Sequence, residues 1–396
     1  MSNNYPDYTS RLAKLKLVIA KNGIKGVFLH QSRDVFYFTG TAQPSWLAVT
    51  QDDARLFVKS GIEFATDDLR LGGISFESER NLGKALDKAF GPPGNYRIGL
   101  ELDVMTVPQF RQFEATLDGC KIVDVSEDIL TIRQIKDAYE IAAVERACKA
   151  VDAGHLAAIK SWQPGMSELE ASAIAEHGHR CAGHEGDYFL RQADFSMGRG
   201  PFASGENIGK ISGVVFSVTG TGLSPAVPAG ASRQTMSKGD LIVIDIPTCV
   251  DGYHADQSRT YSLGPASNEA KALHQALRGI ADRLLADMIP GHKTSEIYNN
   301  SLRYAAELGV KEEFLSFPNG QRSHFVGHGV GLDINEPPFL TARAAGTLQA
   351  GMVLAIELHA CLEGKSIVKL EDTVVVEENG GRVLNLTPRE LTEIEI

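Results

Sequence analysis

Two distant stretches of this chain follow one plan, and that repetition constrains the fold more than any single motif. In SKGDLIVIDI a turn glycine, Gly239, leads into an apolar strand, with a carboxylate, Asp245, six residues after the glycine. LQAGMVLAIEL does the same with Gly351 and Glu357. Each stretch follows a helix, a Pro-Gly step and a second helix. The first of these second helices, PGMSELEASAIAEHG, carries Ser167 and Glu170 in a capping-box pattern; the other, PGHKTSEIYNNSLRYAAELG, reads as capped by Thr/Ser. A tandem helix–helix–strand duplication explains the echo and predicts a domain with an internal pseudo-two-fold repeat; chance similarity of two αβ segments is the alternative.

Each half then places a second carboxylate downstream of the first. Asp245 and Asp256 are symmetric about Val250/Asp251, next to the turn-like Asp251-Gly252. If the flanking runs pair as antiparallel strands, these two carboxylates become cross-strand neighbours with Cβ atoms about 5 Å apart. Glu357 and Glu371 are likewise symmetric about Gly364 in the turn-like EGKS.

Carboxylates in apolar strands are costly to bury, and like charges placed opposite one another repel. Four of them on two hairpins require positive charge, and the only cations in these strands are Arg259 and Lys369. Metal is the better counter-charge. HFVGHGVGLDINEPP supplies a further ligand, His328, set between Gly327 and Gly329 so that something can approach the imidazole closely. Four oxygen donors and one nitrogen, without thiolate, favour Mn²⁺, with Co²⁺, Zn²⁺ or Fe²⁺ as alternatives. Five such residues suit two divalent ions about 3.5–4 Å apart.

At 396 residues the chain is long for one core and is expected to form two α/β (α+β) domains, residues 1–134 and 135–396. In the first, Arg11 to Lys21 has a helical period and Val27–His30, Leu56–Lys59 and Tyr96–Leu100 read as strands. DVFYFTG, Asp34 to Gly40, reads as a core strand ending at a turn. A long helix from about Lys136 through Lys160 opens the second domain, and the Gly/Ser/Pro-rich region from Ser196 to Gly230 reads as a functional wall or lid. The net charge of −11, with no Lys/Arg cluster, argues against nucleic acid or an anionic membrane as partner. No apolar run approaches the roughly 20 residues of a membrane span, and the N-terminus lacks a secretion-signal order, so a cytoplasmic location is expected. The five cysteines are scattered without a CxxC pair, which argues against a disulfide framework or a thiolate metal site.

The order Asp245, Asp256, His328 in a GHG segment, Glu357, then Glu371 in an LEDT strand resembles the pita-bread metallopeptidases: methionine aminopeptidase, prolidase and Xaa-Pro aminopeptidase. GYHADQSRTY is similar to the GYxxDxTRT segment of their proline-specific branch, with Ser258 in place of a Thr. The resemblance implies a creatinase/prolidase-like N-terminal domain, a pita-bread catalytic domain, and hydrolysis of Xaa-Pro bonds by a homodimer. It implies that Asp245 chelates one ion, Asp256 and Glu371 bridge both, and His328 with Glu357 completes the other. A metal-bridging hydroxide would attack the scissile carbonyl, its proton handled by Glu357, while His324, Asn335 and Lys369 would face the substrate.

The substrate-handling positions depart from that pattern. Asn335 stands where these peptidases usually carry a second His, the loop GLSPAVPAG contains no auxiliary His, Lys369 replaces an Arg and Leu358 a Pro. The same centre acting on a small non-peptide compound, by ectoine-type amide hydrolysis or elimination from a sulfonium propionate, is therefore the alternative function. A creatinase-like metal-free enzyme and a non-catalytic binding scaffold both predict eroded ligand positions, whereas all five are filled here.

Overall fold

A computed structural model describes residues 5–68, 74–191, 200–212 and 217–396. The chain divides into two compact units, Met1–Arg133 and Gln134–Ile396.

The first unit is built on a mixed six-stranded sheet. Its strands are β1 (Gly26–Leu29), β2 (Ser45–Thr50), β3 (Ala54–Val58), β4 (Ser75–Ser78), β5 (Arg97–Leu100) and β6 (Lys121–Asp124), in the spatial order β4-β3-β2-β1-β5-β6. The helical period at the N-terminus forms α1 (Tyr8–Asn22), which Asp7 caps through the Ser10 amide. DVFYFTG is not a strand. It lies in the helix α2 (Ser32–Thr39), capped by the Gln31 side chain, which accepts from the Arg33 and Asp34 amides. Gly40, at φ 79°, ends the helix by donating to the Phe36 carbonyl. An aromatic run reports burial without reporting period, and here the caps decide between helix and strand.

The second unit opens with α3 (Ala138–Ser161), whose Asp137–Glu140 capping box sets its start, followed by α4 (Glu168–Cys181). Its strands are β7 (Phe202–Ser204), β8 (Leu241–Ile244), β9 (Thr248–Val250), β10 (Tyr253–Ala255) and β11 (Arg259–Leu263), then β12 (Phe325–Gly329), β13 (Glu336–Thr341), β14 (Val353–Leu362), β15 (Ser366–Glu377), β16 (Gly380–Val383) and β17 (Thr392–Ile394). They form a four-stranded sheet, β17-β11-β8-β7, a five-stranded sheet, β13-β12-β14-β15-β16, and the β10-β9 ribbon. Two further helices, α5 (Asn268–Asp287) and α6 (Thr294–Glu307), separate β11 from β12 in sequence.

The internal repeat appears as matching hydrogen bonds. Gly165 donates to the Met236 carbonyl and Gly291 to that of Leu348, both at 2.9 Å. Glu168 donates to Gln234 and Thr294 to Gly346, again at 2.9 Å, while Met236 and Leu348 donate back to Met166 and His292 at 2.8 Å. The equivalence aligns Ser167 with Lys293, so the second helix is not capped by Thr or Ser. Lys293 takes the cap position, Glu296 accepts from its amide at 3.2 Å, and Thr294 turns to the Gly346 carbonyl.

Side chains alternate across β14 and β15 and so sort core from site. Leu354, Ile356, Leu358, Leu370 and Val374 pack with Leu277, Ile280 and Leu284 of α5. The odd-numbered residues Glu357, His359, Lys369, Glu371 and Thr373 take the opposite face. No helix among the described residues is long and apolar enough to cross a membrane.

Candidate metal centre

Turn chemistry sets where each carboxylate sits. In the first half Asp251 and Gly252 both have positive φ, 52° and 76°, and close a two-residue turn of the kind that joins tight hairpins. Tyr253 pairs with Val250 and Arg259 with Ile244, so the ladder is centred between residues 251 and 252. Asp245 and Asp256 are therefore not direct cross-strand partners; the register is displaced from the symmetric pairing expected from sequence. Pro247 and the break at residues 256–258 interrupt the ladder, since proline has no amide to donate. The freed backbone turns to β15 instead. The Asp256 amide donates to Thr373 Oγ1 at 2.9 Å, the Thr373 hydroxyl donates to the Asp256 carbonyl at 2.7 Å, and Glu371 N donates to the Ser258 carbonyl at 3.1 Å.

The second hairpin has a three-residue loop, with Glu363 and Gly364 at φ 52° and 69°. An odd loop centres the ladder on Gly364, and Glu357 pairs directly with Glu371, as the sequence predicts. His328 arrives on β12, in register with Ala355. Its flanking glycines serve the sheet rather than the imidazole. A Cβ on Gly327 would stand 2.3 Å from the Ala355 carbonyl oxygen, and one on Gly329 2.4 Å from that of Pro337.

Asp245, Asp256, His328, Glu357 and Glu371 are all buried, between 1% and 7% exposed. Their ligand atoms form two groups sharing Glu371: Asp256–His328–Glu371 and Asp245–Glu357–Glu371, each with atoms within 4.8 Å of one another. Burial, and then Asp245, push Asp256 well above the usual carboxylate range; burial and then Asp256 do the same to Glu371. For Glu357 burial also acts upward, but Lys369 and His328 outweigh it and bring the pKa down to about 2. Burial lowers the His328 pKa, which favours the neutral imidazole that a metal needs. Carboxylic acids that cannot all ionise mark a site short of positive charge.

The cations named from sequence part ways. Arg259 turns from the cluster: Nη2 donates to Asp372 Oδ1 at 2.7 Å and Nη1 to the Glu371 carbonyl at 2.6 Å. Lys369 turns into it. Its fully buried Nζ lies 2.5 Å from Asp245 Oδ2, 2.6 Å from Glu357 Oε1 and 3.6 Å from Glu371 Oε2. Burial disfavours its charge, but Asp245, Glu357 and Glu371 outweigh that and raise its pKa well above the usual lysine value. Lys369 is thus an ammonium tied among carboxylates. His324 and Asn335 are exposed, ahead of β12 and β13 respectively.

Two serines complete the cluster. Ser258 donates to Glu371 Oε2 at 2.6 Å, and its place in the QSRT segment marks it in the sequence. Ser217 donates to Glu357 Oε1 and accepts from Lys369 Nζ, both at 2.6 Å. Nothing distinguishes Ser217 from its neighbours in the Ser196–Gly230 region, part of which lies outside the described residues. For a divalent ion the Asp256–His328–Glu371 group fits: two oxygen ligands and an imidazole converge, and Asp256 Oδ1 is buried without a hydrogen-bond partner among the described residues. The Asp245–Glu357–Glu371 group, holding the ammonium, does not.

Residues 142–378 match Metallopeptidase family M24, and residues 11–135 match the Creatinase/Prolidase N-terminal domain. The chain is 27% identical to the Xaa-Pro dipeptidase of Pyrococcus furiosus, over 96% of this chain and 99% of that protein. Its structure superposes on the prolidase of Pyrococcus horikoshii with a TM-score of 0.80 at 24% identity, covering 96% and 99% of the two chains. For the X-Pro aminopeptidase of Thermotoga maritima the TM-score is 0.78 at 23% identity, with 97% and 99% covered. The C-terminal unit is a pita-bread domain preceded by a creatinase-like domain, and the chain belongs to metallopeptidase family M24.

Proposed function

We propose that this protein is a metal-dependent exopeptidase that cleaves the Xaa-Pro bond of dipeptides or peptide N-termini, acting in the cytoplasm as a homodimer with Mn²⁺ as its ion. The observation that carries this reading is the convergence of five buried ligand-type residues from five separate segments. The Xaa-Pro dipeptidase and prolidase among its relatives support the substrate class.

Asp256, His328 and Glu371 are assigned as the ion's ligands. A divalent ion there supplies Lewis acidity toward a peptide carbonyl and activates water. Ser258 orients Glu371, and Thr373 fixes the Asp256 backbone. Glu357, held ionised by Lys369 and Ser217, is a weak base in this arrangement, which disfavours the proton-handling role expected of it. The bridging hydroxide expected from sequence requires a second ion, so no step is assigned to it. His324 and Asn335 are assigned to the substrate on the family pattern.

Asn335 in place of a histidine favours a second reading, a small non-peptide substrate at the same centre, because Asn donates a hydrogen bond but cannot act as an imidazolium acid. A panel of Xaa-Pro dipeptides assayed for proline release separates the two. Mn²⁺-loaded protein is expected to release proline and chelator-treated protein is not; absence of turnover across the panel by loaded protein overturns the peptidase reading.

A further inference from the structure

We infer that the Lys369 ammonium takes the place of one of two cations, so that this chain binds a single divalent ion, at Asp256, His328 and Glu371. The inference rests on the reading of those three residues as an ion site and specifies how many ions the carboxylate cluster accepts.

Three carboxylate oxygens define the other position, one each from Asp245, Glu357 and Glu371. Lys369 Nζ approaches those same three residues, at 2.5, 2.6 and 3.6 Å. A transition-metal ion bound to the same oxygens would sit about 2.0–2.2 Å from each. It would then stand within contact distance of the ammonium, cation against cation.

Lys369 has nowhere else to go. It lies on β15 two residues before Glu371, on the same face of the strand, and its side chain is 1% exposed. Its backbone is fastened on both sides by Thr260, whose Oγ1 accepts from Lys369 N and donates to Lys369 O, each at 2.8 Å. A lysine ordinarily runs its stem along apolar surface to put the charge in water, and burial closes that route. Ser217 Oγ supplies a further acceptor, at 2.6 Å. The ammonium has the carboxylates and a hydroxyl around it, the surroundings a bound cation requires. At the neighbouring Asp256–His328–Glu371 group the one ion pair to a lysine or arginine side chain among the described residues is the 3.6 Å approach of Lys369 to the shared Glu371. Within that group His328 Nε2 stands 3.8 Å from Asp256 Oδ2.

The test is the stoichiometry and spectrum of bound Mn²⁺. Metal-free full-length protein is dialysed to equilibrium against Mn²⁺, its metal content is measured, and electron paramagnetic resonance follows the titration. The expected result is about one ion per chain with the spectrum of isolated Mn²⁺ at every loading. Lys369→Met is expected to raise the count to two and to introduce spin coupling between neighbouring ions. Asp245→Asn, which keeps Lys369 in place, is expected to leave the count at one. Two ions per wild-type chain with a coupled spectrum overturn the inference and leave the metal-site reading intact. No bound ion overturns both. If Lys369→Met does not fold, the wild-type and Asp245→Asn measurements decide.

Discussion

Arg259 fastens the two halves of the carboxylate cluster together, with Nη1 2.6 Å from the backbone carbonyl of Glu371. The rest of its guanidinium is equally committed: Nε to Pro388 O at 3.0 Å, Nη1 also to Ser258 O at 3.0 Å, and Nη2 to Asp372 Oδ1 at 2.7 Å and Thr387 O at 3.1 Å. Arg259→Ala strips these carbonyls of donors, although Arg389 Nε still holds Asp372 Oδ2 at 2.6 Å. The expected loss is about 3 kcal/mol or more of unfolding free energy, measured by urea denaturation. A loss below about 1 kcal/mol would show that the arginine does not hold the site.

Ser258 acts on the proposed ion through Glu371. Ser258→Ala removes the hydroxyl that orients Glu371 Oε2 and is expected to weaken Mn²⁺ binding about 10–100-fold. Ser258→Thr, which restores the donor, is expected to bind like wild type. Equal affinity in all three proteins, by calorimetry, would remove Ser258 from the account.

The glycines beside His328 are steric requirements of the sheet. Gly329→Ala drives a Cβ toward the Pro337 carbonyl, and the expected cost is about 1–3 kcal/mol of stability, with a matching fall in Tm. A neutral outcome would mean that β12 and β13 separate freely.

Several buried histidines tie stability to pH. Burial lowers His179 to about 3 and both His274 and His359 to about 4, so each stays neutral in the fold over a range where the unfolded chain is protonated. The unfolded state then binds more protons, and stability falls as pH drops from about 6.5 toward about 4, at about 1.4 kcal/mol per pH unit for each such histidine. His274→Leu is expected to reduce the slope between pH 6 and pH 4.5 by about one histidine's share. An unchanged slope would show that His274 titrates normally in the folded protein.

How far the sequence could be read depended on the kind of interaction involved. Glu357 and Glu371 were legible as partners because their loop is symmetric about Gly364. Asp245 and Asp256 read from the sequence as partners but lie two residues out of register, since the conformation of Asp251-Gly252, which centres the ladder, is a property of the folded turn. The Asp34–Gly40 run reads as a strand from its aromatic residues alone, whereas the helix is set by its caps, Gln31 before the run and Gly40 at its end. The repeat was legible in its glycines and carboxylates, whereas the cap fell on Lys293 rather than on the Thr or Ser beside it. Lys369 was visible as a cation near the carboxylates. That its ammonium enters the cluster while Arg259 leaves it depends on which face of each strand meets the other half, and Ser217 joins from a loop with no periodicity to read.

Anomalous diffraction from a Mn²⁺-soaked crystal tests the central claim most directly. The account predicts one strong anomalous peak per chain, within coordination distance of Asp256, His328 and Glu371, with Lys369 still against Asp245 and Glu357. A chain with no peak at those three residues, or with its ion elsewhere, would contradict it.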